Sequence, residues 1–401
     1  MKYIVLLGDG MADEPVEALE GKTPLQAADT PNMDRLARSG RVGMVHTVPD
    51  GFHPGSDVAN LSVFGYDPRR CYSGRSPIEA ASMGIELGKN DVAFRLNLVY
   101  LVANYGKLYM ADFSAGHIST EEGREIVESL QAELGDEEFQ FYPGVSYRHL
   151  MVWRGGKDKM HTAPPHDLTG RSIEDSLPTG EGAAELVNLM NSSQMLLKRH
   201  PVNLRREEKD LPSANSIWLW GQGRAPELET YAEMFGVSGA VISAVDLIKG
   251  IGVYAGLDII DVPGATGYLD TNYRGKAEYA LEALKSRDFV YLHVEAPDEA
   301  AHGGMLEEKI RAIENFDREV VATVAAGIGS LGDYSILVLP DHPTPVEKMT
   351  HTSDAVPFIL YAPDNLSVRG QSAEHYDEAS AAATGDVVED GHRLIAQMFR
   401  D

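Results

Sequence analysis

Three short apolar runs in this chain end in aspartate, and histidines follow closely behind two of those aspartates. Tyr3-Ile-Val-Leu-Leu7 leads into Gly8-Asp9-Gly10. Phe289-Val-Tyr-Leu-His-Val294 leads into Glu295-Ala-Pro-Asp298, with His302 one helical turn later. Ser335-Ile-Leu-Val-Leu339 leads into Pro340-Asp341-His342, and His351 comes in the next loop. Nearly continuous apolar runs of this length, bounded by Gly and Pro, are the pattern of parallel strands buried on both faces. Open α/β sheets collect their ligands at the carboxyl ends of such strands. The pattern therefore predicts that several carboxylates and imidazoles meet in one place. Buried charge at that density needs a cation, and Asp with His in the absence of Cys suits Mn, Zn or Mg. A metalloenzyme of hydrolysis or phosphoryl transfer is the expectation.

Further candidate strands lie at 239–243, 256–262 and 357–361, separated by helix-like segments at 272–286, 306–326 and 374–398. This alternation predicts an α/β fold with a doubly wound, mostly parallel sheet. The first strand lies near the N-terminus while its partners lie beyond residue 240, so the middle of the chain reads as an insertion. There, segment 92–102 pairs naturally with 106–113, and Ser119 with Glu122 marks the capped start of a helix. The expected division is a sheet domain from 1–71 and 215–401, with an α+β domain at 72–214.

A formal net charge of -26 argues against a nucleic-acid partner. Cys71 is the single cysteine, so no internal disulfide can form and a reducing, cytoplasmic setting is expected. No apolar run approaches the length of a membrane span. No coiled-coil seam fixes an oligomeric state.

Asp298 and His302, spaced i and i+4, share one helix face and can chelate one ion. Asp341 and His342 are adjacent, so past a strand end they can serve two different ions, which suggests a binuclear site. His351 alone would read as surface decoration; its company makes it a ligand candidate. Gly55-Ser56-Asp57 reads as a tight turn feeding a helix. Ser is a preferred N-cap there, but the helix N-terminus also favours an anion, and a metal would make Ser56 a plausible nucleophile for phosphoryl groups. Candidate contacts to an anionic substrate are Arg75, Arg95, Arg148 and Arg171, with His117 and Lys276.

The stretches Leu6-Leu-Gly-Asp-Gly-Met-Ala-Asp13, Gly55-Ser-Asp-Val-Ala-Asn60, His166-Asp-Leu-Thr-Gly170, Asp261-Val-Pro-Gly-Ala-Thr-Gly267, Ala296-Pro-Asp-Glu-Ala-Ala-His302 and Pro340-Asp-His342 run nearly end to end. Together they resemble the archaeal-type cofactor-independent phosphoglycerate mutases of the alkaline phosphatase superfamily. The resemblance implies that superfamily's sheet and two divalent ions, often Mn. Asp298, His302 and His351 would hold one ion; Asp9, Ser56, Asp341 and His342 would hold the other. It further implies a small phosphorylated substrate, no requirement for 2,3-bisphosphoglycerate, and transfer through Ser56 between the hydroxyls of phosphoglycerate. Lys276 would help stabilise the transferring group, and the inserted domain would grip the glycerate and exclude water. Trp218, Trp220 and Pro343 resemble instead a bacterial branch for which homoserine kinase activity has been proposed. A metal-dependent phosphatase is a third reading.

Overall fold

The apolar runs form the centre of an eight-stranded sheet in the computed structural model, which describes residues 1–363 and 370–399. The strand order is Asp258–Ile259, Gly239–Ile242, Phe289–Val294, Lys2–Gly8, Tyr334–Leu339, Val356–Tyr361, Arg41–Val45 and Val387–Val388. The first five are mutually parallel. Lys2–Gly8 lies between Phe289–Val294 and Tyr334–Leu339, with Gly8 beside Val294 and Leu7 beside Leu339. This register brings the three strand ends level, so Asp9, Glu295 and Asp341 emerge side by side.

The fold is the expected α/β doubly wound sheet, and its far side departs from parallel. Val356–Tyr361 runs antiparallel to both Tyr334–Leu339 and Arg41–Val45. Parallel neighbours need a crossover, usually a helix. The loop from 340 to 355 contains none, so the chain turns back. Helices Tyr273–Leu284 and Leu306–Asn315 cover the sheet, and the second continues through a π-helical stretch, Phe316–Val321, into Ala322–Gly327. Their apolar faces meet Ile4, Leu6, Val290, Leu292, Ile336 and Val338 in one core.

The helix expected at 374–398 is not continuous. It resolves into helix Glu378–Ala383, the edge strand Val387–Val388 and 3-10 turns Gly391–Arg393 and Ile395–Gln397. Gly385, at φ +70°, ends the helix in a left-handed conformation, and the Val pair then joins the sheet beside Met44 and Val45.

The chain divides into two compact units, Met1–Tyr72 with Glu227–Asp401, and Ser73–Pro226. The second boundary lies beyond the expected residue 215. Ser216–Gly223 pairs antiparallel with Val92–Asn104, so it belongs to the second unit's sheet. That sheet also contains Lys107–Asp112, Phe139–Val145 and Arg148–Trp153. Helices Thr120–Leu134 and Ala183–Leu197 contribute Ile126, Leu130, Leu186 and Leu197 to its core. Ser119 caps the first of these helices by accepting the Glu122 N–H at 3.2 Å. Among the described residues, no helix is long and apolar enough to cross a membrane.

Candidate active site

Strand ends, one helix start and the loop after Asp341 bring all seven expected metal and nucleophile residues together in the first unit. Asp9, Asp341 and His342 are fully buried, and Asp298 nearly so. Ser56 opens helix Ser56–Val63, with Gly55 as its N-cap. Ser56 Oγ lies 3.2 Å from His342 Nε2. The same nitrogen is 3.3 Å from Asp341 Oδ2 and 3.7 Å from Asp9 Oδ1. Asp9 Oδ1 is buried and has no hydrogen-bond partner. Donor atoms bound about 2.1 Å from one ion stand roughly 3.0–3.4 Å apart, so this set fits a cation.

A second group lies alongside. His302 Nε2 is 3.2 Å from Asp298 Oδ2, and His351 Nε2 is 3.5 Å from Asp298 Oδ1. The two imidazole nitrogens are themselves 2.8 Å apart. Two imidazoles turned onto one carboxylate likewise fit a cation, once His302 has given up its proton. His342 links the two groups, its ring centroid 4.0 Å from that of His351.

Asn60, one helical turn after Ser56, ties the helix to the sheet. Its amide donates to the Ser56 carbonyl at 2.9 Å and to Asp341 Oδ2 at 2.8 Å, and its oxygen accepts Tyr291 O–H at 2.7 Å. Thr344 Oγ1 donates to Asp298 Oδ1 at 2.5 Å and lies 3.2 Å from His342 Nδ1. Gly10 permits the crowding. At φ +61° its N–H donates to Asp341 Oδ1 at 3.2 Å, and a Cβ there would come within 2.6 Å of both Asp298 Oδ1 and Thr344 Oγ1. Beneath the site, buried Lys309 donates to Asp13 Oδ2 at 2.6 Å, the Thr344 carbonyl at 2.8 Å and the Ala12 carbonyl at 3.2 Å.

The crowding of carboxylates shifts their titration. Burial, followed by the neighbouring Asp341, Glu295 and Asp298, pushes the Asp9 carboxyl well above the carboxylate range. Burial and Asp298 raise Glu295 to about 8. The Asp298 hydrogen bond lifts His302 to about 9. Burial opposes ionisation of Asp298, yet its bonds to His302 and His351 hold it well below the usual range. Burial lowers His342.

Sequence reasoning passed over His293, Glu295, Asn60 and Thr344. His293 Nε2 lies 2.8 Å from Asp9 Oδ2 and 3.4 Å from Glu295 Oε2. The signal was present: His293 interrupts an otherwise apolar strand, and Glu295 follows at its end. Lys276, expected at the substrate, is fully buried and donates to the His293 carbonyl at 3.1 Å. Burial lowers its ammonium to about 8, with Glu295 opposing.

In the second unit, Glu79 gathers three of the expected arginines. Arg75 Nε donates to it at 2.7 Å, Arg95 Nε lies 3.2 Å away, and Arg148 is near enough to act on its charge. Burial raises Glu79, but Arg95 and Arg75 outweigh it and hold the carboxyl below its usual range. The Arg95 guanidinium lies over Trp220 at 4.6 Å, and Trp220 Nε1 donates to Asn97 at 2.9 Å. Arg148 sits over Tyr147, whose ring also meets His117. Trp218, by contrast, is a core residue donating to the Ala163 carbonyl. Arg171 is exposed, and its described hydrogen bonds are made by its backbone, outside this cluster.

The family model for 2,3-bisphosphoglycerate-independent phosphoglycerate mutase matches residues 37–203. A Geobacter sulfurreducens protein named as a probable enzyme of that kind is 62% identical over 399 residues, covering 100% of both chains. This chain belongs to the 2,3-bisphosphoglycerate-independent phosphoglycerate mutase family. The Methanosarcina barkeri mutase is 54% identical over 386 residues, 95% of each chain. A solved Pyrococcus horikoshii protein superposes with a TM-score of 0.83 at 30% identity, over 99% of this chain and 96% of its own. The family resemblance read from the motifs therefore holds over the full length.

Proposed function

We propose that this chain interconverts 3-phosphoglycerate and 2-phosphoglycerate, with Ser56 carrying the phosphoryl group between the two hydroxyls. The observation that carries the reading is the approach of Ser56 Oγ to the cluster of Asp9, Asp341 and His342 at a helix start. Asp298, His302 and His351 would hold one divalent ion, and Asp9, Ser56, Asp341 and His342 the other; Mn suits this donor set. Bound there, the ions would supply charge that neutralises the transferring group and favours the serine alkoxide.

Ser56 Oγ attacks phosphorus, and the bond to the first glycerate oxygen breaks. The second hydroxyl of the retained glycerate then attacks the phosphoserine, so phosphate never leaves as a free ion. The Val58 N–H is taken by the Asp57 carboxylate, and the N–H groups that remain at the start of Ser56–Val63 would favour the phosphoryl oxygens, as helix N-termini do for anions. Asn60 holds that helix start against Asp341 throughout. Arg75, Arg95, Arg148 and His117 of Ser73–Pro226 are the groups proposed to bind the substrate carboxylate and phosphate. Arg forks match both anions. We assign the same unit the exclusion of water. Lys276, beneath Glu295, would add positive charge at the strand ends. A cytoplasmic setting fits the single free cysteine.

The test is conversion of 3-phosphoglycerate by Mn-loaded protein without added 2,3-bisphosphoglycerate. Appearance of 2-phosphoglycerate, abolished by a chelator and restored by Mn, supports the reading. Steady phosphate release without the second isomer would identify a phosphatase instead.

A further inference from the structure

The two oxygens of Asp9 have different surroundings. Oδ1 is buried and bare, while Oδ2 lies 2.8 Å from His293 Nε2. A short relay sets which nitrogen of that ring carries the proton. The Val245 N–H donates to Ser243 Oγ at 3.0 Å. Ser243 Oγ stands 3.1 Å from His293 Nδ1, and its own hydroxyl proton is available to that nitrogen. An Asp9 that holds a cation is ionised and can only accept, so Nε2 must donate. The Asp9 end therefore sets the tautomer, with Nε2 protonated, and the Ser243 hydroxyl is free to donate to the Nδ1 lone pair that this leaves. Ser243 and His293 are buried, so water does not substitute for either partner.

We propose that Ser243 and His293 are positioning residues for the ion at Asp9. They hold Oδ2 in a hydrogen bond and leave Oδ1 as the only oxygen for the ion shared with Ser56, Asp341 and His342. This inference rests on the binuclear reading above. It also decides a competing possibility. Asp9, His293 and Glu295 approach closely enough to hold a further ion of their own. A ring nitrogen that carries a proton has no lone pair to give, so His293 supports a ligand and is not one. Carboxylate–histidine pairs around metals act in this way, and losing one typically weakens the metal about 10–100-fold.

The test is Mn2+ titration of the chelator-stripped full chain by calorimetry, with the bound metal counted. The wild-type chain should bind two ions. His293→Leu should still bind two at saturation, with one of them weakened about 10–100-fold. His293→Gln places an amide N–H at the Nε2 position and should recover most of that loss. Ser243→Ala should weaken the same ion, by less. Wild-type affinity in a folded His293→Leu overturns the proposal. Three ions in the wild type, with both His293 variants losing one, would make His293 a ligand and overturn it also. Should His293→Leu fail to fold, unchanged Mn2+ affinity in Ser243→Ala overturns the proposal. A wild-type chain that binds no Mn2+ refutes the binuclear reading itself, which is a separate result.

Discussion

Gly10→Ala tests how tightly the strand ends are held around the site. Gly10 adopts φ +61°, where an L side chain costs about 1–2 kcal/mol. The new methyl would also approach Asp298 Oδ1 and Thr344 Oγ1 to 2.6 Å and the Asp298 Cα to 2.9 Å. One of those atoms is backbone, so rotating a side chain does not relieve the contact. Overpacking of this kind costs about 1–3 kcal/mol. The expected loss is therefore about 2–5 kcal/mol, a large share of the ~5–15 kcal/mol that stabilises a typical domain. Gly21 is the control. It has φ +81° and nothing within 4 Å of an added Cβ, so Gly21→Ala carries only the backbone cost. Urea unfolding midpoints of both variants, with Mn2+ titrations, separate the two contributions. Gly10→Ala should be distinctly less stable than Gly21→Ala and should bind Mn2+ more weakly, because the methyl displaces Asp298. Equal stabilities, with wild-type Mn2+ affinity in Gly10→Ala, would refute the crowding argument.

Ser56→Ala should lower the mutase rate on the order of 10^4-fold or more while the fold and the ion at Asp298, His302 and His351 survive; a variant with substantial turnover would exclude Ser56 as carrier. His302, lifted to about 9 by Asp298, is protonated below that pH in the metal-free protein and must lose the proton to act as a ligand. Mn2+ affinity should therefore climb from pH 6 towards 9, up to about tenfold per unit from this group, with proton release at pH 7 measurable by calorimetry in buffers of different ionisation enthalpy. Lys309→Met should destabilise the protein by about 3–5 kcal/mol, since it leaves the buried Asp13 carboxylate with the Val346 and Glu14 N–H groups but no cation; denaturation near the wild-type midpoint would contradict this.

The sheet was legible in the sequence because strands buried on both faces write their burial as unbroken apolar runs. Phe289–Val294 and Tyr334–Leu339 are examples. Arg41–Val45 was not legible, since Gly43 and the partly exposed Arg41 and Met44 dilute its pattern at the sheet's far side. The C-terminal region misled for a related reason: Ala379 to Ala383 has strong helix propensity, but Gly385 ends the helix and backbone pairing with Arg41–Val45 takes the next residues. The metal and nucleophile set was readable from its position after strand ends and at one helix start. What sequence could not supply was the supporting shell. Asn60 and Thr344 are ordinary polar residues until the fold sets them against Asp341 and Asp298. Ser243 lies 50 residues from the histidine it touches. Among the basic residues, local pattern did not distinguish Arg95, which stacks on Trp220 beside Glu79, from Arg171, which is exposed.

Ser56 is the residue proposed to carry the phosphoryl group during an isomerisation from which water is excluded. Mn-loaded protein turning over 3-phosphoglycerate should be acid-quenched, digested and analysed by mass spectrometry. The account predicts one phosphoryl group on the peptide containing Ser56, absent from Ser56→Ala and absent when the metal is chelated. Ongoing conversion to 2-phosphoglycerate by Ser56→Ala, or a phosphoryl group found on a different residue, would contradict it.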